Sequence, residues 1–186
     1  MTGQETQQEQ AQQQEQNKQQ PSKDLIHFSH SHLSVDEAVN FVRADNCGAI
    51  STFIGTTRDH FDGKAVIKLE YESHVPMATK SLTRAIQNAR NTWNDIERVS
   101  IIHKLGECPV GDISVIISVS SPHRETAIKA VGFLIEELKL SAPIWKKEVL
   151  EDGEAHWKSN KEDNNRKMNN TIASASATTV TNTHAI

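Results

Sequence analysis

Hydrophobic and polar positions along the chain switch between two periods. Ser114-Val115-Ile116-Ile117-Ser118-Val119-Ser120 is β-branched and mostly apolar, as a largely buried strand should be. Immediately afterwards the period becomes helical. Ala127, Val131, Leu134 and Leu138 recur on one face, and Ile128 and Ile135 widen the apolar stripe. Ser121 is expected to cap this helix, with Pro122 at its first position, where a missing N–H costs nothing. Pro143 ends it, which places Lys146 and Lys147 on a loop or short strand.

The upstream pattern reads in the same way. Leu25–Ser29 is a short strand. Ser34-Val35-Asp36-Glu37 forms a capping box, and Val35, Ala38, Val39 and Val42 make the apolar face of a helix ending near Asn46 and Gly48. A strand over Ala49–Ile54 runs into a turn-rich loop from Gly55 to Gly63. In Val66–Glu72, Ile67, Leu69 and Tyr71 alternate with Lys68, Glu70 and Glu72, so the second set is expected on a wet face. A helix follows Pro76 to about Trp93, with Ala78, Leu82, Ala85, Ile86, Ala89 and Trp93 along one side. Val99–His103 is a strand, and Gly106 to Gly111 a turn. The order β-α-β-β-α-β-β-α joins two strand pairs directly. That predicts an α+β domain with a mixed or mainly antiparallel sheet and packed helices, because a doubly wound parallel sheet needs a crossover helix between strands.

Composition confines the folded part. Ten of the first twenty residues are Gln, and such a segment buries too little apolar surface to offset its ordering entropy. Residues 1–24 and the Asn/Ser/Thr-rich residues 158–186 are therefore expected to be disordered, with one domain over 25–157. The chain has a formal net charge of −4, and residues 25–157 carry 14 basic and 18 acidic groups. A general polyanion binder is basic, so nucleic acid is not an expected partner. No apolar run reaches membrane-spanning length, and the start lacks the features of a signal or transit peptide. Cys47 and Cys108 form neither a CxxC motif nor a disulfide framework, which fits a reducing cytosol.

The placement of a few cations matters more than the total. His123 and Arg124 fall in the first turn of a helix, where the macrodipole favours negative charge. An anion bound there would explain them. Lys139 complements a helix C-terminus, whereas Lys146 and Lys147 sit beside apolar Trp145. A lysine against apolar surface loses solvation and becomes available as a base or nucleophile. Arg58, at a strand end, reads by default as a solvated charge. His27, His30 and His32 lack the spacing of a metal site. Glu70 and Glu72 read as surface charges, and Cys108 as a buried, inert thiol near His103. No nucleotide-binding glycine fingerprint is present.

Several of these stretches act together as a signature. Phe53-x-Gly55-x-Thr57-Arg58-Asp59, Leu69-Glu70-Tyr71-Glu72 with Pro76-Met77-Ala78, and His103-x-Leu105-Gly106 occur in order. They are followed by Ser121-x-His123-Arg124, Pro143-Ile144-Trp145-Lys146-Lys147-Glu148, and Asp152-Gly153 with Trp157. In this the chain resembles the catalytic (large) subunit family of molybdopterin synthase, from about Cys47 to Trp157. Lys104 departs from the family's usual Arg and keeps the charge.

The resemblance implies an α/β-hammerhead-like fold and an enzyme that converts cyclic pyranopterin monophosphate into molybdopterin. The sulfur of the dithiolene would come from the thiocarboxylated C-terminus of a small ubiquitin-like subunit. No metal or organic cofactor is implied. Two large subunits would pair, with a small subunit at each end of a heterotetramer. Lys139 and Lys146 correspond to the family's active-site lysines, and Arg58, His123, Arg124, Lys139, Lys146, Lys147 and Glu148 to its substrate-binding residues. A scaffold that keeps the fold is the competing expectation, and it has no need of these cations. A phosphate-directed hydrolase or phosphotransferase would call for a carboxylate cluster or phosphate loop.

Overall fold

The computed structural model describes residues 22–61, 63–153 and 155–158. The Gln-rich head and polar tail lie outside the described residues, except for 22–24 and 158. In chain order the elements are β1 (Asp24–Ser29), α1 (Val35–Val42), β2 (Ala49–Thr56), β3 (His60–Phe61), β4 (Lys64–Ser73) and α2 (Val75–Thr92). There follow β5 (Arg98–Lys104), β6 (Gly106–Pro109), β7 (Ile113–Ser121), α3 (Arg124–Ser141), β8 (Ile144–Leu150) and β9 (Ala155–Lys158). The fold is α+β, as the element pattern predicts, but it has two sheets. The first has the order β1-β5-β7-β2 and the second β3-β4-β8-β9, with β6 also paired to β4. Only β1 with β5 is parallel among the described pairs.

The first sheet holds the core because β5 and β7 are apolar on both faces. Val99, Ile101, Ile117 and Val119 meet Leu82, Ile86, Leu134 and Leu138 from α2 and α3. Ile102 and Ile116 point the other way, against Ala38 of α1. The Ser34 cap is realised: its hydroxyl accepts the Glu37 N–H at 3.2 Å. α1 nevertheless ends at Val42, short of Asn46, since Arg43 is already extended. Asp24 and Arg90 form a two-bond pair at 2.7 Å, tying β1 to the end of α2. No helix among the described residues is long and apolar enough to cross a membrane.

Four expectations are corrected. Helix α3 begins at Arg124 with His123 as its N-cap, because β7 continues through Ser121. Ser121 still serves the turn, accepting the His123 N–H at 3.2 Å. Ile128 does not join the buried stripe; it is 60% exposed, and Ala130 is buried in the core instead. The Gly106–Gly111 turn contains strand β6, and residues 155–158 form β9; β8 bears out the strand alternative for Lys146 and Lys147 and, with β9, completes the second sheet. Finally, Ile67 is 51% exposed while Val66 is buried. A register shift between Val66 and Lys68 against β8 explains the swap: one extra residue reverses which side chains face inward.

Truncating Leu134, which is fully buried, to Ala is expected to reduce the unfolding free energy by about 2–5 kcal/mol. Ile128→Ala should change it by less than about 0.5 kcal/mol. Chemical denaturation distinguishes the two, and equal losses would contradict the placement of Ile128 on the outer face.

Candidate active site

A cleft of about 620 Å³ opens between the end of β2, the start of β7, the inner face of β4 and β8, and the last turn of α3. Its shape follows from strand pairing. Tyr71 lies opposite Lys146 and Leu69 opposite Glu148 in the β4–β8 ladder, so these side chains share one face. The irregularity after Val66 brings that residue onto the same face, and Val66 lines the cleft together with Leu69 and Tyr71. On the opposite wall, Gly55 permits close approach. A Cβ there would lie 2.8 Å from Val115 Cγ1 and 3.2 Å from the Phe53 ring, too near for any larger residue without movement. The Ser114 hydroxyl donates to the Gly55 carbonyl at 3.1 Å and holds this edge.

The structure brings together Arg58, Lys139, Lys146 and Glu148, all of which line the cleft. Arg58 follows β2, Lys139 comes from the last turn of α3, and Lys146 and Glu148 alternate on β8. Glu148 is only 3% exposed, a buried carboxyl in the same cavity as the cations. Lys147 is not brought in. Strand alternation turns it to the outer face, where it donates to Glu70 at 3.3 Å. That bond lowers the pKa of the Glu70 carboxyl, with Lys68 at 3.3 Å adding to the effect. Glu70 is thus an ion-pairing surface charge and not a catalytic acid.

His123 and Arg124 do not line the cleft either. They stand at the N-terminal end of α3, and Lys139 at its C-terminal end. Fifteen residues of helix separate Arg124 from Lys139 by about 22 Å along the axis. A single copy of the chain therefore does not place them in one pocket. A carboxylate lies beside this helix start, bonded to hydroxyls and not to the helix N–H groups. Asp95 Oδ2 accepts from the Ser121 hydroxyl at 3.1 Å and from Thr126 at 3.0 Å.

Between the cations lies an uncharged floor that sequence reasoning did not assign. Tyr71, His103 and Ser114 line it. Burial raises the Tyr71 pKa to about 12, although a hydrogen bond with Ser114 opposes the shift. Burial lowers that of His103 to about 4, against the pull of its bond to the Lys104 carbonyl. Both are neutral near pH 7. Tyr71 and His103 each sit inside a recognised motif, and that membership was the available signal. Alternation showed only that Tyr71 faces inward.

Cys108 is buried, accepts from the Thr57 hydroxyl at 3.3 Å, and has a thiol pKa raised by burial. His103 directs Nδ1 to a backbone carbonyl, so no thiol–imidazole pair is formed among the described residues. The upstream histidines lie apart on the surface: His27 near Glu37 at 3.7 Å and His32 near Asp112 at 3.8 Å. No cluster of three or more potential metal ligands occurs among the described residues.

Comparison with known proteins gives the cleft a context. The family described as MoaE protein matches residues 28–141. A molybdopterin synthase catalytic subunit 1 from Aedes aegypti is 51% identical over 141 residues, covering 75% of this chain and 91% of that protein. The human molybdopterin synthase catalytic subunit is 45% identical over 144 residues, covering 77% of this chain and 76% of the relative. The crystal structure of molybdopterin synthase from Staphylococcus aureus superposes with a TM-score of 0.69 at 33% identity, over 75% of this chain and 98% of that one. The family match takes in β2 through α3 and includes Arg58 and Lys139 of the cleft; with the close relatives, it shows that the chain belongs to the MoaE protein family, that of the molybdopterin synthase catalytic subunits.

Proposed function

We propose that this chain is the catalytic subunit of a molybdopterin synthase. It moves sulfur from the thiocarboxylated C-terminus of a small ubiquitin-like subunit onto cyclic pyranopterin monophosphate, forming the dithiolene of molybdopterin. The observation that carries this reading is the convergence of Arg58, Lys139 and Lys146 on one cleft from three separate elements. Substrate phosphate and incoming thiocarboxylate are both anions, and a cationic cavity holds them together against their repulsion. The planar fork of Arg58 suits a phosphate.

Lys139 and Lys146 supply the proton transfer or the capture of the acyl carbon that releases sulfur from the carrier. Because the donor is a protein thiocarboxylate, the proposed reaction draws on no metal or organic cofactor. The small subunit's tail must enter the cleft, and the assembly is a heterotetramer of two catalytic and two small subunits in the cytosol. A scaffold would have no use for three cations gathered in one cavity.

The separation along α3 bears on the homodimer. His123 and Arg124 can serve the same substrate as Lys146 only if they come from the second catalytic subunit. A two-fold dimer would do this twice, once at each cleft.

Reconstitution with thiocarboxylated small subunit and cyclic pyranopterin monophosphate tests the reading, with dithiolene product as the readout. Lys146→Ala is expected to slow product formation about 100-fold or more while small-subunit binding persists. Near-normal turnover would remove Lys146 from the chemistry. Lys147→Ala should retain activity within a few-fold, because its side chain lies on the other face of the sheet.

Arg124→Ala should weaken pterin binding. Mixing the Lys146→Ala and Arg124→Ala proteins, with subunit exchange and at a pterin concentration too low for either to turn over well alone, should restore about a quarter of the wild-type sites, since each mixed dimer regains one intact cleft. No recovery on demonstrated exchange would place Arg124 outside the shared site.

A further inference from the structure

The cleft has a charged rim and a neutral floor, and the chemistry above uses only the rim. On the floor, one group has its hydrogen-bonding state fixed by its surroundings. The His103 ring meets Tyr71 edge-on with centroids 5.0 Å apart, and Phe28 at 6.4 Å. Its Nδ1 lies 2.7 Å from the carbonyl oxygen of Lys104. A carbonyl only accepts, so Nδ1 carries the proton. In a neutral imidazole the other nitrogen is then an acceptor. Nε2 has no hydrogen-bond partner among the described residues, although the ring is 4% exposed and lines the cleft.

An acceptor on the wall of a ligand cavity that has no donor from the protein selects for a ligand that brings one. Resting on the reading of this cleft as a pterin site, we propose that His103 determines substrate specificity by accepting, at Nε2, a hydrogen bond from an N–H donor of the bound heterocycle. The pyrimidine edge of a pterin carries such donors in its amino group and ring N–H. A thiocarboxylate presents none, and inorganic phosphate, whose donors are P–OH and not N–H, is drawn to the cationic rim and not to the neutral floor. The heterocycle is thereby oriented edge-first toward the floor, with its phosphate directed to Arg58 and the lysines. Burial keeps the ring unprotonated down to about pH 4, so it remains an acceptor throughout the physiological range. An imidazolium would offer two donors and repel the same edge.

The test uses the full complex with histidine labelled in its ring nitrogens. Titration with cyclic pyranopterin monophosphate is expected to move the His103 Nε2 resonance upfield, as acceptance of a hydrogen bond does, and titration with inorganic phosphate to leave it in place. The resonance is assigned by its loss in His103→Gln. In binding measurements, His103→Phe keeps the ring and its contact with Tyr71 but removes the acceptor. Pterin affinity should fall about 10- to 100-fold, with phosphate affinity unchanged.

His103→Gln places a carboxamide oxygen near the same point and should recover most of that loss, which a purely structural role would not produce. If His103→Phe does not fold, the wild-type titration decides the matter. Pterin binding by the wild type with Nε2 unmoved overturns this inference and leaves the proposed function standing. Failure of the folded wild-type complex to bind the pterin at all overturns the proposed function and this inference with it.

Discussion

The antiparallel pairing of β4 with β8 is the constraint on which the cleft depends. It sets Tyr71 opposite Lys146 and Leu69 opposite Glu148, so an aromatic, an aliphatic, a cation and a carboxyl share one inward face. The same register turns Lys147 outward to Glu70. Slippage by one residue would exchange these roles and leave Lys147 in the cavity. The shift after Val66 refines the arrangement locally, giving the cleft a buried valine and sending Ile67 to solvent. Strand irregularities of this kind commonly accompany sites whose side chains must be re-aimed.

The first sheet supplies the rigidity that the second uses. β7 is buried along nearly its whole length between α1 on one side and α2 with α3 on the other, and it fixes β2 through an antiparallel ladder. Gly55 then allows that edge to close on Val115. Helix α3 links the two functional regions and also keeps them apart. Its C-terminal turn delivers Lys139 to the cleft, while its N-terminal end carries His123 and Arg124 away from it. Asp95 accepts from the hydroxyls of Ser121 and Thr126 beside that end, while His123, the N-cap, makes no side-chain capping bond.

Much of this was legible from periodicity. The strands around Ile101 and Ile117, the face of α2 and the Ser34 cap all arise from local patterns with one physical solution. Other features depended on partners distant in sequence. The second sheet escaped notice because its strands acquire their meaning only through pairing, β6 and β8 against β4 and β9 against β8. Ile67 and Ile128 misled for the same reason: an apolar residue reads as buried unless a bulge, or the position of the next element, is known.

At the site, spacing drew attention to His123 and Arg124, and resemblance to Lys139 and Lys146. Neither could show that a helix of fixed rise holds His123 and Arg124 at one end and Lys139 at the other. The neutral floor was the least legible part, since Tyr71 and His103 look like ordinary core residues until their shared cavity is seen.

The most direct test of the account is a structure of the catalytic dimer with cyclic pyranopterin monophosphate bound. The account predicts the heterocycle against Tyr71 and His103, the phosphate at the Arg58 side of the rim, and Lys146 within reach of the carbons that receive sulfur. A ligand seated on the outer face beside Lys147 and Glu70, or anywhere outside this cleft, would contradict it.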